Sequence, residues 1–297
     1  MTADLQTGIF YALVSGMLWG FGPLLLKRGM TLSNVSTATL IEQYTSVMLL
    51  AIIATARGEL FLLDFSGKAF WAFVGAGAVG ASFGKIFYYK GIDTVGASKS
   101  TSVKNSSPPL TVLLAVILLG EDVTFPVGVG SVLIVVGILV LSRAEGKGGE
   151  RQGGPVKYFF YPLMAALCFG INPVLKKIGV DASSLPTLGA LITQSTALVV
   201  MLTAGRFLQI KPKWERIPAK GLILFSLAGV TEALGSLFTF FALVYGPAVL
   251  VSPIWRVSPL VTFVLARFTL RGIEVVTLRD GVAASFIVGG VFVLSRG

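Results

Sequence analysis

Histidine is absent from these 297 residues, and cysteine occurs once, as Cys168. That inventory cannot supply a disulfide framework or a Cys/His zinc site. A Ser-His-Asp or Cys-His catalytic pair is excluded for the same reason. Charge is scarce as well. Asp, Glu, Lys and Arg make up 13% of the chain, against about 25% in a soluble domain. No G-x-x-x-x-G-K-[ST] stretch occurs, so no P-loop couples the protein to ATP.

What is present is apolar. Hydrophobic residues reach 54% and the mean hydropathy is +0.84, more than one buried core accounts for and the opposite of a disordered composition. The composition predicts an all-α polytopic membrane protein. Ten apolar segments are readable: 7–26, 37–56, 69–89, 97–119, 124–142, 157–176, 185–205, 219–245, 248–270 and 276–295. Each matches the roughly 20 residues of a transmembrane helix. None alternates apolar with polar as a barrel strand does, and an open sheet leaves its backbone unsatisfied in lipid. Residues 1–6 carry no basic region, so the first segment is expected to be a retained helix and not a cleaved signal.

Basic residues set the expected orientation. The net charge is +10, and loop basicity of this kind reflects cytoplasmic retention, not nucleic-acid binding. One set of loops holds sixteen Lys and Arg; the opposite set holds Arg57, Lys68, Lys176, Lys177 and Arg296. The basic set goes to the cytoplasm, which puts both termini outside a cell's inner (plasma) membrane.

The chain repeats itself. Gly20, Pro23 and Gly29 match Gly170, Pro173 and Gly179, 150 positions on. Gly84, Ser107, Pro108 and Thr111 match Gly235, Ser258, Pro259 and Thr262, 151 positions on. Gly137 and Arg143 match Gly290 and Arg296, 153 positions on. Residues 1–145 form the first five-helix unit, 146–156 a polar linker and 157–297 the second. Five is odd, so the second unit must enter the membrane upside down. Two inverted five-helix repeats are a recurring architecture of secondary transporters.

Several short motifs sit in matched places in the two halves. They are W-G-F-G-P at 19–23, F-G-I-N-P at 169–173, S-S-P-P-L at 106–110, L-L-G-E at 118–121 and V-S-P-L at 257–260. On these the chain resembles the drug/metabolite transporter superfamily, specifically the ten-span EamA-type permeases. The second half departs by reading L-R-G at 270–272 where the first has L-G-E. The resemblance implies export or exchange of small metabolites by alternating access. Relatives are drawn with cytoplasmic termini, the reverse of what the charge count predicts.

Charge inside a span is costly and marks a cavity or an ion path. Glu42, Lys85, Lys104, Glu232 and Arg256 all fall inside spans. The repeat brings them together: Glu232 corresponds to Ala81, one turn from Lys85, and Arg256 to Asn105, beside Lys104. Trp19, Tyr89, Asn172, Gln194 and Trp255 complete the expected substrate lining. Pro108, Pro109, Pro253 and Pro259 are expected hinges, because proline strips a helix of backbone hydrogen bonds. A structural ion pair, such as Lys85 with Glu232, is the competing reading of the charges. Lys27, Lys177, Glu121 and Arg267 lie near span ends, where snorkelling is expected. Gly75-x-Gly77-x-x-Gly80 matches a dinucleotide fingerprint but lies inside an apolar span. It reads as a helix-packing face.

The sequence therefore predicts a secondary transporter and no enzyme. The cargo is a small polar metabolite, anionic or zwitterionic, such as an amino acid or a phosphorylated or carboxylated compound. A proton or a counter-substrate couples it. A proton-coupled exporter of lipophilic cations, a membrane-embedded enzyme and a scaffold are the alternatives. No cofactor, metal or nucleic acid is implied. The partners are the substrate and the lipid bilayer. The glycines of spans 5 and 10 leave monomer and homodimer both open, with intramolecular packing the default.

Overall fold

A computed structural model describes residues 3–29, 32–33, 35–61, 66–95, 100, 103–104, 107–144, 159–183, 185–207, 217–269 and 278–294. Among the described residues there is no strand. The helices are α1 (Ala3–Gly29), α2 (Val35–Ala56), α3 (Gly67–Ala76), α4 (Lys85–Val95), α5 (Ser107–Leu119) and α6 (Phe125–Ala144) in the first half. The second half holds α7 (Phe160–Ser183), α8 (Pro186–Phe207), α9 (Ala219–Tyr245), α10 (Ala248–Trp255), α11 (Ser258–Thr269) and α12 (Leu278–Leu294). A π-helical stretch, Gly77–Gly84, joins α3 to α4.

Six helical stretches are long and apolar enough to cross a membrane. Four shorter apolar ones are Ser107–Leu119, Phe125–Val140, Ala248–Thr262 and Gly281–Val293. The outside of the bundle is as apolar as its core. Ile52, Trp71, Ile117, Val132, Val288 and Phe292 all face outward, while Glu42, Gln43, Lys176 and Gln194 are buried. Water would not tolerate that surface; lipid requires it.

The two halves contact each other reciprocally. The Thr111 hydroxyl donates to the carbonyl of Gly170, and the Thr262 hydroxyl to that of Gly20, both at 2.9 Å. Phe73 packs on Gly179 and Phe225 on Gly29. Gly137 faces Ile287, and Gly290 faces Ile134, so α6 and α12 close the bundle within one chain. Each of these contacts is returned by the repeat-related residues of the other half, the mark of a pseudo-two-fold axis. Gln43 and Gln194, themselves 151 apart, meet there: the Gln43 amide donates to the side-chain oxygen of Gln194 at 2.8 Å and to its carbonyl at 2.9 Å.

Three expectations need correction. Span 6 does not stop at 176, since α7 runs on through Ser183. The adjacent Lys176 and Lys177 read as a loop edge, yet each finds a place inside the bundle. The opposite loop set then keeps only Arg57, Lys68 and Arg296. Span 9 is not one helix; it breaks at Arg256–Val257 between α10 and α11, with Arg256 at φ −72°, ψ 2°. Pro253, inside α10, and Pro259, in the first turn of α11, bracket the break, because neither can donate a ladder bond. In span 4, Pro108 and Pro109 lie within α5, at the second and third of its described residues. Pro108 is buried and Pro109 exposed.

Glu121 does not snorkel. Gly120 ends α5 in the left-handed region at φ +66°, and the Glu121 carboxylate turns back onto α10. It accepts from the backbone N–H of Ala248 at 2.7 Å and of Val249 at 2.8 Å. The first N–H groups of a helix lack partners, and a carboxylate satisfies them. The same device follows α2. Gly58 has φ +72°, and Glu59 accepts from Thr187 Oγ1 at 2.7 Å and from the Leu188 N–H at 2.9 Å, at the start of α8.

Candidate functional site

A cavity of about 320 Å³ lies between the halves. The first half lines it with Trp19 and Pro23 of α1, Glu42 of α2, Gly80 of the π-helical stretch, Lys85 and Tyr88 of α4, and Lys104. The second half adds Phe169, Asn172 and Lys176 of α7, Gln194 of α8, Glu232 and Ser236 of α9, and Trp255 and Arg256 at the helix break. Nine of the ten residues expected from sequence thus share one cavity: Trp19, Glu42, Lys85, Lys104, Asn172, Gln194, Glu232, Trp255 and Arg256. The side chain of the tenth, Tyr89, lies outside the described residues. Its neighbour Tyr88 takes the lining position.

The repeat explains how the chain assembles this site. Pro173 in α7 has no N–H, so the carbonyl of Phe169, four residues earlier, loses its helical partner. Arg256 Nη2 donates to that carbonyl at 3.0 Å. The broken helix supplies the guanidinium and the proline-interrupted helix supplies its anchor. The π-helical stretch widens the turn ahead of Lys85, as π-bulges often do at functional sites. There the Asn172 amide donates to the Ala76 carbonyl at 2.7 Å. A Cβ on Gly80 would run into the Asn172 side chain.

The charges form a partly connected set. Lys85 Nζ lies 3.5 Å from Glu232 Oε1, and Gln194 Nε2 donates to the same oxygen at 3.2 Å. Gln43, Gln194, Glu232 and Lys85 therefore form one chain across the pseudo-two-fold axis. Lys104 Nζ stands 4.4 Å from the Tyr88 ring centre and 5.6 Å from that of Phe169, within cation–π range. Glu42 is 6% exposed. Trp19 Nε1 and Ser236 Oγ are buried with no hydrogen-bond partner among the described residues.

Sequence reasoning missed Lys176. It is 5% exposed, with its ammonium 5.1 Å from the ring centre of Phe240 and 5.8 Å from that of Trp19. The signal was present: Lys176 follows Asn172 by four residues, which puts both on one helix face. Lys177 points elsewhere, to the Leu243 carbonyl at 3.0 Å and to Asp181 at 2.8 Å.

The EamA-like transporter family matches this chain twice, over residues 6–143 and again over 156–296. The chain belongs to the EamA-like transporter family. Its membership makes it a multi-pass membrane transporter and not an enzyme. An uncharacterized transporter of Clostridium kluyveri is 23% identical over 145 residues, which are 49% of this chain and 47% of that protein. The matched stretch spans about half the length of that curated relative. A crystallised protein shares the fold at a TM-score of 0.80 and 15% identity, over 98% of this chain and 97% of its own.

Proposed function

We propose that this EamA-like transporter is a secondary carrier for a small anionic or zwitterionic metabolite, working by alternating access between two inverted five-span halves. The halves are 1–145 and 157–297, joined by 146–156. The observation that carries the reading is the cavity: both halves line it, and four of the six charged side chains that line it are basic. In a low-dielectric site such groups attract an acidic ligand and orient it. The break beside Arg256 and the prolines around it give the chain places to bend without unpicking whole helices. Removing Lys176 and Lys177 from the loops sharpens the charge bias. That favours outward-facing termini in a plasma membrane. The packing of α6 on α12 favours a monomer, with a homodimer the alternative.

The test is transport in proteoliposomes for a panel of carboxylates, phosphates, amino acids and lipophilic cations. Arg256→Ala is expected to abolish uptake of the accepted acidic solute while the protein stays folded. Unchanged uptake by that variant sinks the site. One observation favours a second reading, a proton-coupled exporter of lipophilic cations. The Glu42 carboxylate lines the cavity, is buried and makes no hydrogen bond among the described residues. Transport of cations alone, lost in Glu42→Gln, would establish that reading instead.

A further inference from the structure

Two uncharged groups in the cavity wall stand out from their neighbours. Buried polar atoms in proteins are nearly always hydrogen-bonded, and each one that is not calls for an explanation. Among the described residues, Trp19 and Ser236 are the two that both line the cavity and carry a buried polar atom with no hydrogen-bond partner. The atoms are the indole Nε1 and the serine hydroxyl, and Ser236 is 1% exposed. They share one corner. The Trp19 ring presses on α9 where Gly235 leaves room: a Cβ there would stand 2.7 Å from Nε1, and Ser236 is the next residue. Other buried hydroxyls on this side of α9 are satisfied. Ser15 donates to the Gly235 carbonyl at 2.7 Å, and Thr239 to the same oxygen at 2.9 Å. Ser236 makes no such bond back to its own helix.

Resting on the anion reading above, we infer that Trp19 and Ser236 form a second subsite, which receives an uncharged oxygen of the acidic substrate, a hydroxyl or a carbonyl. An indole N–H only donates, and a serine hydroxyl donates and accepts. One oxygen with two lone pairs satisfies both; a methylene leaves both unpaired, and an ammonium leaves the indole unpaired. Among the described residues no hydrogen bond holds either group in place, so small rotations bring both onto a ligand in the cavity. The Lys176 ammonium lies 5.8 Å from the centre of the Trp19 ring, so the subsite adjoins a base that can hold the acidic end. The substrate is therefore an oxygenated acid. Its deoxy analogue would strand two buried donors, and a site rejects a near-isostere most strongly in that way.

The experiment uses the purified full chain at neutral pH and matched acids with and without the oxygen. Propionate is compared with lactate and pyruvate, succinate with malate, and propyl phosphate with glycerol phosphate. Ligand-dependent thermal stabilisation gives the apparent Kd of each. The oxygenated acid of a bound set is expected to bind at least about tenfold tighter than its deoxy partner, the ratio that stranded buried donors supply. Lactate against pyruvate says whether a hydroxyl or a carbonyl is preferred. Trp19→Phe keeps an aromatic ring and loses the N–H; Ser236→Ala loses only the hydroxyl. Each is expected to bring the ratio near one while the deoxy acid still binds. Without ligand, Ser236→Ala should not lower the melting temperature, because it removes no bond. A fall there would mean that the hydroxyl has a structural partner, and overturns the subsite. A wild-type ratio near one, with acids bound, overturns it too and leaves the anion reading standing. A ratio that survives in a variant removes that residue from the subsite. Should Trp19→Phe fail to fold, Ser236→Ala decides alone. If none of these acids stabilises the protein, the anion reading falls and this inference with it.

Discussion

Arg256 is held by a carbonyl that Pro173 releases: its Nη2 lies 3.0 Å from the oxygen of Phe169, four residues before the proline. Pro173→Ala restores an N–H that competes for that oxygen. Helix α7 should become locally more regular while Arg256 loses its anchor. A hydrogen bond to a charged group is worth about 1.5–3 kcal/mol, so substrate affinity should fall at least about tenfold. Thermal stability should not fall. Binding titration and a melting curve on the same preparation separate the two effects. Unchanged affinity would mean that the bond does not position Arg256.

The three glycines of Gly75-x-Gly77-x-x-Gly80 should differ sharply in tolerance. A Cβ on Gly75 would meet Leu175 Cδ1 at 3.5 Å, an ordinary contact. One on Gly80 would overlap the Asn172 side chain, and one on Gly77 the Thr193 carbonyl. Gly75→Ala should behave as wild type. Gly80→Ala should push Asn172 off the Ala76 carbonyl, cost about 1–3 kcal/mol as overpacking does, and impair transport. Equal behaviour of the two variants would show that the π-helical stretch accommodates bulk.

Much of this was legible in sequence because membrane burial makes polar residues informative. Glu42, Lys85, Lys104, Glu232 and Arg256 are expensive in lipid wherever they point, so their presence alone predicted a shared cavity. The repeat then placed them in one region, as Trp19 and Asn172 also required. Lys176 escaped because two adjacent lysines look like a loop edge. Only the extra two turns of α7 reveal that one of them faces inward. The break at Arg256 was half legible: Pro253 and Pro259 flagged it, but apolar continuity over 248–270 hid a two-residue turn. The role of Glu121 was not legible. Its partners, the N–H groups of Ala248 and Val249, lie more than 120 residues away and carry no side-chain signal.

Glu59 and Glu121 each tie a turn of the first half to a helix start in the second. In the proposed arrangement of two inverted five-span halves both ties fall on one face of the membrane, so opening the cavity on that face would break them. Losing such a cap costs about 0.5–2 kcal/mol, which shifts an open–closed equilibrium by roughly two- to thirty-fold. The expected readout is faster labelling of a cavity cysteine, Ser236→Cys in a Cys168→Ala background, by a charged, membrane-impermeant thiol reagent. Glu59→Gln with Glu121→Gln should accelerate labelling several-fold from that face and not from the other. Equal rates with and without the ties would make them structural caps and nothing more.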